Sequence, residues 1–240
     1  WLEFDIRNHF KLGPVKYHNV VASIKGTKYP DEYVIISGHL DSYDVATGGI
    51  DCGTGIGPMM EAARMIALSG AKPKRTILFV AFAGEEFGLL GAKAYVKTHA
   101  KELGKIANLF NRDGGPTPPV GISVPQAMYD DFVEVCKPVK EICADYPFEV
   151  KVAKPFKRPT QSGGTDASVF AVEGVPTFGF NTQDIKGYNF SYGEIWHTER
   201  DLYTKNIPEY QEHAATVTAV VALGIANLSK QLSREGMHKK

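Results

Sequence analysis

Residues Tyr33 to Gly55 read YVIISGHLDSYDVATGGIDCGTG, and the rest of the chain is organised around them. Val34 to Ile36 is a short apolar run, the pattern of a buried strand. It stops at Ser37-Gly38, and His39, Asp41, Ser42, Asp44 and Asp51 then follow within a few positions. In open α/β sheets, functional groups gather beyond the carboxyl ends of strands. His39 supplies an imidazole and Asp51 a carboxylate, a pairing that suits a zinc ion. Glu85-Glu86, Asp113 and His197 offer further groups of the same kind, and each follows or lies near a predicted strand end.

Working outward, Leu2 to Phe10 alternates partly and predicts a strand, as does Asn19 to Lys25. These two strands predict an antiparallel edge on a larger mixed sheet. After the Leu40–Gly53 loop, Met59, Ala62-Ala63, Ile66 and Ala67 recur at helical spacing, ended by Gly70 and Pro73. Arg75 to Ala83 (RTILFVAFA) is almost wholly apolar, as a strand covered on both faces requires. A helix over 88–101, a strand over 105–110 and a short strand over 120–124 come next. A helix over 129–144 and a strand over 148–152 follow. Thr165 to Val172 predicts a short helix capped by Thr165 or Asp166, and Val175 to Phe180 an apolar strand. The last helix starts near Pro208, at its first turn, and runs to about Ser229. Repeated strand–helix units predict an α/β fold: a three-layer α/β/α sandwich around a mixed, mostly parallel sheet, in one domain over 1–240.

Composition narrows the function. Lys plus Arg and Asp plus Glu are 27 each, which argues against a broad nucleic-acid surface. No apolar run is long enough to span a bilayer. Cys52, Cys136 and Cys143 form no disulfide framework; Cys136 and Cys143 read as small buried hydrophobes. The chain opens WLEFDIR without an initiator Met, the look of a processed or excised piece.

Each candidate also has an ordinary explanation. A single histidine is usually a hydrogen-bonded one. Asp51 could cap the next helix, Glu85-Glu86 could favour a helix N-terminus, and Asp113 could stabilise a turn. The set changes the weighting, because packing asks for none of these groups after a buried strand. Together they imply a metal-dependent hydrolase.

Seven segments carry a resemblance: GHLDS (38–42), DCGTG (51–55), GEEFGLLGA (84–92), NRDG (111–114), GGTDASVF (163–170), GVPTFGF (174–180) and WHTERD (196–201). In order and content the chain resembles metallopeptidase family 28, the co-catalytic dizinc family of bacterial aminopeptidases and plasma glutamate carboxypeptidase. The resemblance implies two zinc ions. His39 and Asp113 would hold one, Glu86 and His197 the other, and Asp51 would bridge both. Glu85 would be the general base and bind no metal. A frequently cis peptide is implied after Asp51, and Asp41 would orient His39 through its other ring nitrogen. The implied activity is a zinc-dependent exopeptidase, first of all an aminopeptidase acting on short peptides. A glutaminyl cyclase or a dipeptidase/carboxypeptidase of the same fold are the alternatives, with a non-catalytic binding domain behind them. Retention of both His39 and Asp113 argues for two metals over the single-zinc cyclase branch.

Three positions depart from the family pattern: Cys52 after Asp51, Arg112 before Asp113, and Ala167 where relatives often carry histidine. Cys52 reads as inert, Arg112 as structural or substrate-contacting, and Ala167 bears on specificity only. Tyr188, Phe190, Tyr192 and Trp196 precede His197 and read either as core packing or as a subsite wall. Lys157-Arg158 reads as solvated, or as a contact for a substrate carboxylate. The family points to a secreted or periplasmic protein, and larger relatives add a protease-associated domain. Neither the oligomeric state nor the preferred side chain can be read from the chain.

Overall fold

The computed structural model describes residues 1–9, 11 and 13–239. Val34 to Ile36 lies in the middle of the longest strand. The elements run β1 (Val20–Ile24), β2 (Tyr29–His39), α1 (Gly53–Leu68), β3 (Arg75–Phe82), α2 (Leu90–Thr98), β4 (Ile106–Asn111), β5 (Pro119–Val124), α3 (Gln126–Ile142), β6 (Glu149–Val152), α4 (Asp166–Val172), β7 (Phe180–Thr182) and α5 (Pro208–Ala226). One sheet has the order β1-β3-β2-β4, the other β6-β5-β7. β2 is parallel to both β3 and β4, β5 is parallel to β6, and only the β1–β3 and β5–β7 pairings are antiparallel.

Successive side chains of a strand point to opposite faces, and both faces here are covered. Val34, Ile36, Ile77, Phe79 and Ala81 face α1 and α5, sharing one core cluster with Met59, Ala62, Val217 and Val221. Ile35, Val80, Phe82 and Leu109 face α2 and α4, meeting Leu89, Ala92, Val96 and Phe170. The expected helix–sheet–helix layering of a mixed sheet is therefore present, and it explains why β2 and β3 read as continuous apolar runs rather than alternating ones.

Three expectations need correction. Residues 2–9 form no strand and are exposed, and Phe10 lies outside the described residues. Leu2, Phe4 and Ile6 are exposed apolar side chains that pack on no strand. The antiparallel edge exists, but β1 supplies it alone by pairing with β3. Val175 to Gly179 is not a ladder strand either; only Phe180–Thr182 is. Pro176 has no N–H to give, and the segment docks by other means. The Asn108 amide donates to the Phe178 carbonyl and its oxygen accepts from the Phe178 N–H, both at 3.0 Å. Leu109 N–H donates to the Pro176 carbonyl at 2.9 Å. A side-chain amide thus does the work of a missing ladder rung and carries the layer from β4 toward β7. Finally, α2 starts at Leu90, two residues later than expected. The chain from Gly84 first closes a tight turn, with Leu89 N–H on Glu85 O and Leu90 N–H on Gly84 O.

Candidate metal centre

Parallel register sets His39 beside Phe82 and Ser37 beside Asn111. The segments that leave β2, β3 and β4 therefore emerge at one edge of the sheet. They carry His39, Glu85-Glu86 and Asp113 to one place, and the 192–201 loop brings His197 to it.

His39 ends β2 and is buried. Its Nε2 lies 2.9 Å from Asp51 Oδ1 and 3.5 Å from Asp113 Oδ1. On the other side of Asp51, His197 Nε2 lies 3.9 Å from Oδ2 and 2.9 Å from Glu86 Oε2. The two oxygens of one carboxylate thus face two different imidazoles. All five candidate ligands converge, and Glu85 lines the same cleft, about 520 Å³ in volume.

Local structure explains how Asp51 is held. Asp201 accepts the Ile50 N–H on Oδ1 at 2.6 Å and the Asp51 N–H on Oδ2 at 3.1 Å. Gly49 lets the 202–203 backbone approach so closely that a Cβ would sit 2.2 Å from the Tyr203 nitrogen. Gly55 does the same for α1, where a Cβ would meet the Arg112 carbonyl oxygen at 2.1 Å. The Asp51–Cys52 peptide is cis. Cys52, not Asp51, occupies the N-cap of α1, and no side chain caps it, so capping does not account for Asp51.

Asp41 meets His39 Nδ1 chiefly through its main-chain carbonyl, at 2.9 Å, with a carboxylate oxygen 3.9 Å away. The carboxylate accepts the Glu85 and Glu86 N–H groups, each at 3.1 Å. It therefore fixes the turn that carries both glutamates.

The electrostatics favour a cation here. Burial raises the proton affinity of Glu86 and Asp113, and the neighbouring Asp51 charge adds to it. Burial also opposes a charge on His39, but its hydrogen bonds to Asp113 and Asp51 outweigh that and hold the ring above the usual imidazole range. Glu85 is pushed up to about 8 by burial, with Asp113, Asp166 and Glu86 adding to the shift against His39. Glu86 Oε1 is buried and meets no donor among the described residues. Two imidazole nitrogens, three carboxylates and an orphaned carboxylate oxygen form a donor set that fits zinc.

The departures resolve in favour of structure. Cys52 is buried, its thiol donates to the Arg112 carbonyl at 3.0 Å, and burial pushes its pKa up. Arg112 pairs with no acid among the described residues; its guanidinium donates to the carbonyls of Thr54, Gly115 and Thr117. It ties the NRDG turn to α1. Arg158 donates to the Val172 carbonyl, and neither it nor Lys157 lines the cleft. Of the four aromatic residues before His197, Tyr192 and Trp196 line the cleft. Tyr188 instead packs on Tyr210 and bonds Glu209.

Sequence reasoning missed three residues. Tyr43 stacks on His197, with ring centroids 4.2 Å apart and planes 4° apart, while Trp196 lies 4.2 Å away at 31°. Asp166 is wholly buried, and neither of its oxygens meets a donor among the described residues. Burial pushes it to about 7, with Asp113 and Asp41 adding to the shift against His39, so it belongs to this site rather than to a helix cap. Asp201 stands in the WHTERD segment, where its place four residues beyond His197 gives no hint of its grip on residues 50 and 51.

A layered α/β domain with imidazoles and carboxylates converging at its strand ends is an architecture suited to holding metal ions. The chain belongs to peptidase family M28, whose model matches residues 19–221. It is 32% identical over 231 residues to Carboxypeptidase Q of Rattus norvegicus, an alignment covering 94% of this chain and 46% of that protein. A Peptidase M28 precursor from Shewanella amazonensis SB2B superposes with a TM-score of 0.75 at 33% identity, over 90% of this chain and 46% of the other. The zinc aminopeptidase BSAP of Bacillus subtilis shares the fold, with a TM-score of 0.66 at 21% identity, over 92% of this chain and 53% of the other. The chain spans about half the length of these relatives.

Proposed function

We propose that this protein is an exopeptidase with two zinc ions that hydrolyses short peptides. The observation that carries the reading is the placement of Asp51, one oxygen toward His39 and the other toward His197. His39 and Asp113 would hold one ion, Glu86 and His197 the second, and Asp51 both. Zinc supplies Lewis acidity toward the scissile carbonyl and toward the attacking water. Glu85 takes the water proton and returns it to the leaving amine. Its raised proton affinity suits both halves of that task. Asp41 keeps Glu85 and Glu86 in fixed relation through their amides. Tyr192 lines the cleft, and burial together with the Asp51 and Asp113 charges keeps its phenol protonated as a donor.

An aminopeptidase is the first reading of the sequence, and the solved aminopeptidases that share the fold are compatible with it. The Carboxypeptidase Q relatives favour the second reading, removal of a C-terminal residue. A dipeptide satisfies both, since its one peptide bond is next to each terminus.

The test is the Glu85→Gln variant, with zinc measured by elemental analysis. We expect about two zinc ions per chain in both proteins and a loss of dipeptide turnover on the order of 10³-fold in the variant. Undiminished turnover with zinc in place would end the assignment of Glu85. One ion per chain, with cyclisation of an N-terminal glutamine, would favour the cyclase alternative.

A further inference from the structure

We infer that Tyr210 and Asp184 are positioning residues: together they hold the 184–189 turn on α5 and thereby set where the Tyr192 phenol stands in the cleft. The inference rests on the exopeptidase reading above, in which that phenol is a donor, and adds to it what keeps the donor in place.

The turn is wound around a carboxylate. Gly187 and Asn189 both have positive φ, 73° and 53°. A backbone of that kind curls its N–H groups inward around an anion, and the anion here is the side chain that opens the turn. Asp184 Oδ2 accepts the Asn189 N–H at 2.7 Å, and Oδ1 accepts the Tyr210 hydroxyl at 2.6 Å. The Tyr210 bond, and after it the 187–189 amides, hold this carboxyl below the usual carboxylate range. Tyr210 lies in the first turn of α5 and is wholly buried. Its oxygen also accepts the Lys186 N–H at 2.9 Å, so one hydroxyl both gives to the turn and takes from it. Its neighbour Glu209 accepts from Lys186 Nζ and from the Tyr188 hydroxyl at the exposed end of the same contact. Exposed ion pairs contribute little, whereas removing the buried hydroxyl leaves two partners unsatisfied.

Phe190 and Ser191 link this turn to a single 3₁₀ turn, Tyr192–Glu194. The Tyr192 ring lines the cleft with Asp51 and Asp113. It rests over Gly115, where a Cβ would stand 3.2 Å from it. The Tyr192 carbonyl accepts the Ile195 and Trp196 N–H groups, at 3.1 and 2.9 Å. The same helix holds the opposite side of the ring. Gln211 donates to the Pro116 carbonyl at 3.0 Å, and His213 Nε2 to that of Pro119 at 2.8 Å. The start of α5 therefore fastens both the segment that leaves Asp113 and the segment that leads to His197, and the Tyr192 ring lies between the two.

The experiment measures alanyl-leucine hydrolysis by the zinc-loaded wild type, Tyr210→Phe, Tyr192→Phe and the double variant, and follows amide hydrogen exchange in the same proteins by NMR. Tyr210→Phe keeps the ring and removes only the hydroxyl. We expect it to lower kcat about tenfold with KM within about twofold. It should also speed exchange of the Ile195 and Trp196 amides about tenfold, while those of β2 and α1 stay as they are. Tyr192→Phe should lower kcat about 10²-fold. The double variant should lose no more than that, because a residue acting through another adds nothing once the other is gone. Asp184→Ala breaks the same bond from outside the core and should reproduce Tyr210→Phe. Losses that multiply in the double variant, or unchanged kcat and exchange in Tyr210→Phe and Asp184→Ala, would overturn the positioning role and leave the peptidase reading standing. A zinc-loaded wild type that cleaves no dipeptide, with exchange still faster in Tyr210→Phe, would overturn the exopeptidase reading and leave the hold on the loop standing.

Discussion

The two halves of the candidate metal centre are built by different means. His39 and Asp113 leave neighbouring parallel strands. His39 is buried, and both of its ring nitrogens have protein partners. His197 belongs to a loop, has positive φ (57°), and keeps a side chain 31% exposed. The sheet fixes the first imidazole through register. The second is placed by stacking between Tyr43 and Trp196 and by the short contact to Glu86. Losing a group from the sheet-built half should therefore damage the fold, whereas losing one from the loop-built half should damage only the chemistry.

The widest gap is expected between His39→Ala and His197→Ala. Both should reduce turnover by on the order of 10³-fold or more. In metal-free protein, His39→Ala leaves a cavity and strips the buried Asp51 and Asp113 of their partner, at about 3 kcal/mol. That is a fall of about 8 °C in Tm for a chain of this size. His197→Ala removes a partly exposed ring and should move Tm by about 2 °C or less. Thermal melts in chelator measure both, and equal drops would break the contrast.

Asp166 sharpens the same contrast, since its field comes from His39, Asp113 and Asp41, on the sheet-built side. Its proton affinity is raised in the folded state to about 7, far above the ordinary carboxylate value. Stability associated with the bound proton is present at low pH and is lost as pH rises through that value. Between about pH 5.5 and about pH 8 the cost of burying it grows by about 2 kcal/mol. Asp166→Asn escapes that change. The Tm difference between variant and wild type, measured without metal, should rise in the variant's favour by about 5 °C across this interval. A flat difference would mean that Asp166 stays ionised with a partner.

The same division decided what could be read from the sequence. β2, β3 and β4 were legible because strands covered on both faces must be apolar throughout, and the polar groups after them stood out. His39, Glu85, Glu86 and Asp113 were found that way. His197 stood out less, as one more candidate group beyond the strands, and the resemblance of WHTERD gave it its role. Tyr43 and Asp201 act across gaps of more than a hundred residues and Asp166 across more than fifty, and no periodicity or spacing records such contacts. Local signals also misled where one side chain replaced a backbone partner, as Asn108 does for Val175 to Gly179. The partial alternation of residues 2–9 misled too: alternation without burial on either face makes no strand, and these residues are exposed throughout.

The smallest expected effect isolates the loop-built half itself. If stacking rather than backbone places His197, then Tyr43→Ala should weaken the zinc site that His197 completes without altering Tm in the absence of metal. A nearly parallel ring pair at 4.2 Å contributes on the order of 1 kcal/mol. The loss should be about fivefold in zinc affinity, read by competition with a chromophoric chelator. Tyr43→Phe retains the ring face and should bind zinc as the wild type does. Among the described residues Tyr43 stacks on His197 and not on His39, so the proposed site of His39 and Asp113 serves as the internal control. A loss at both sites, or at neither, would show that the two halves are held by a common frame, and that stacking on His197 is a consequence of its position rather than the cause.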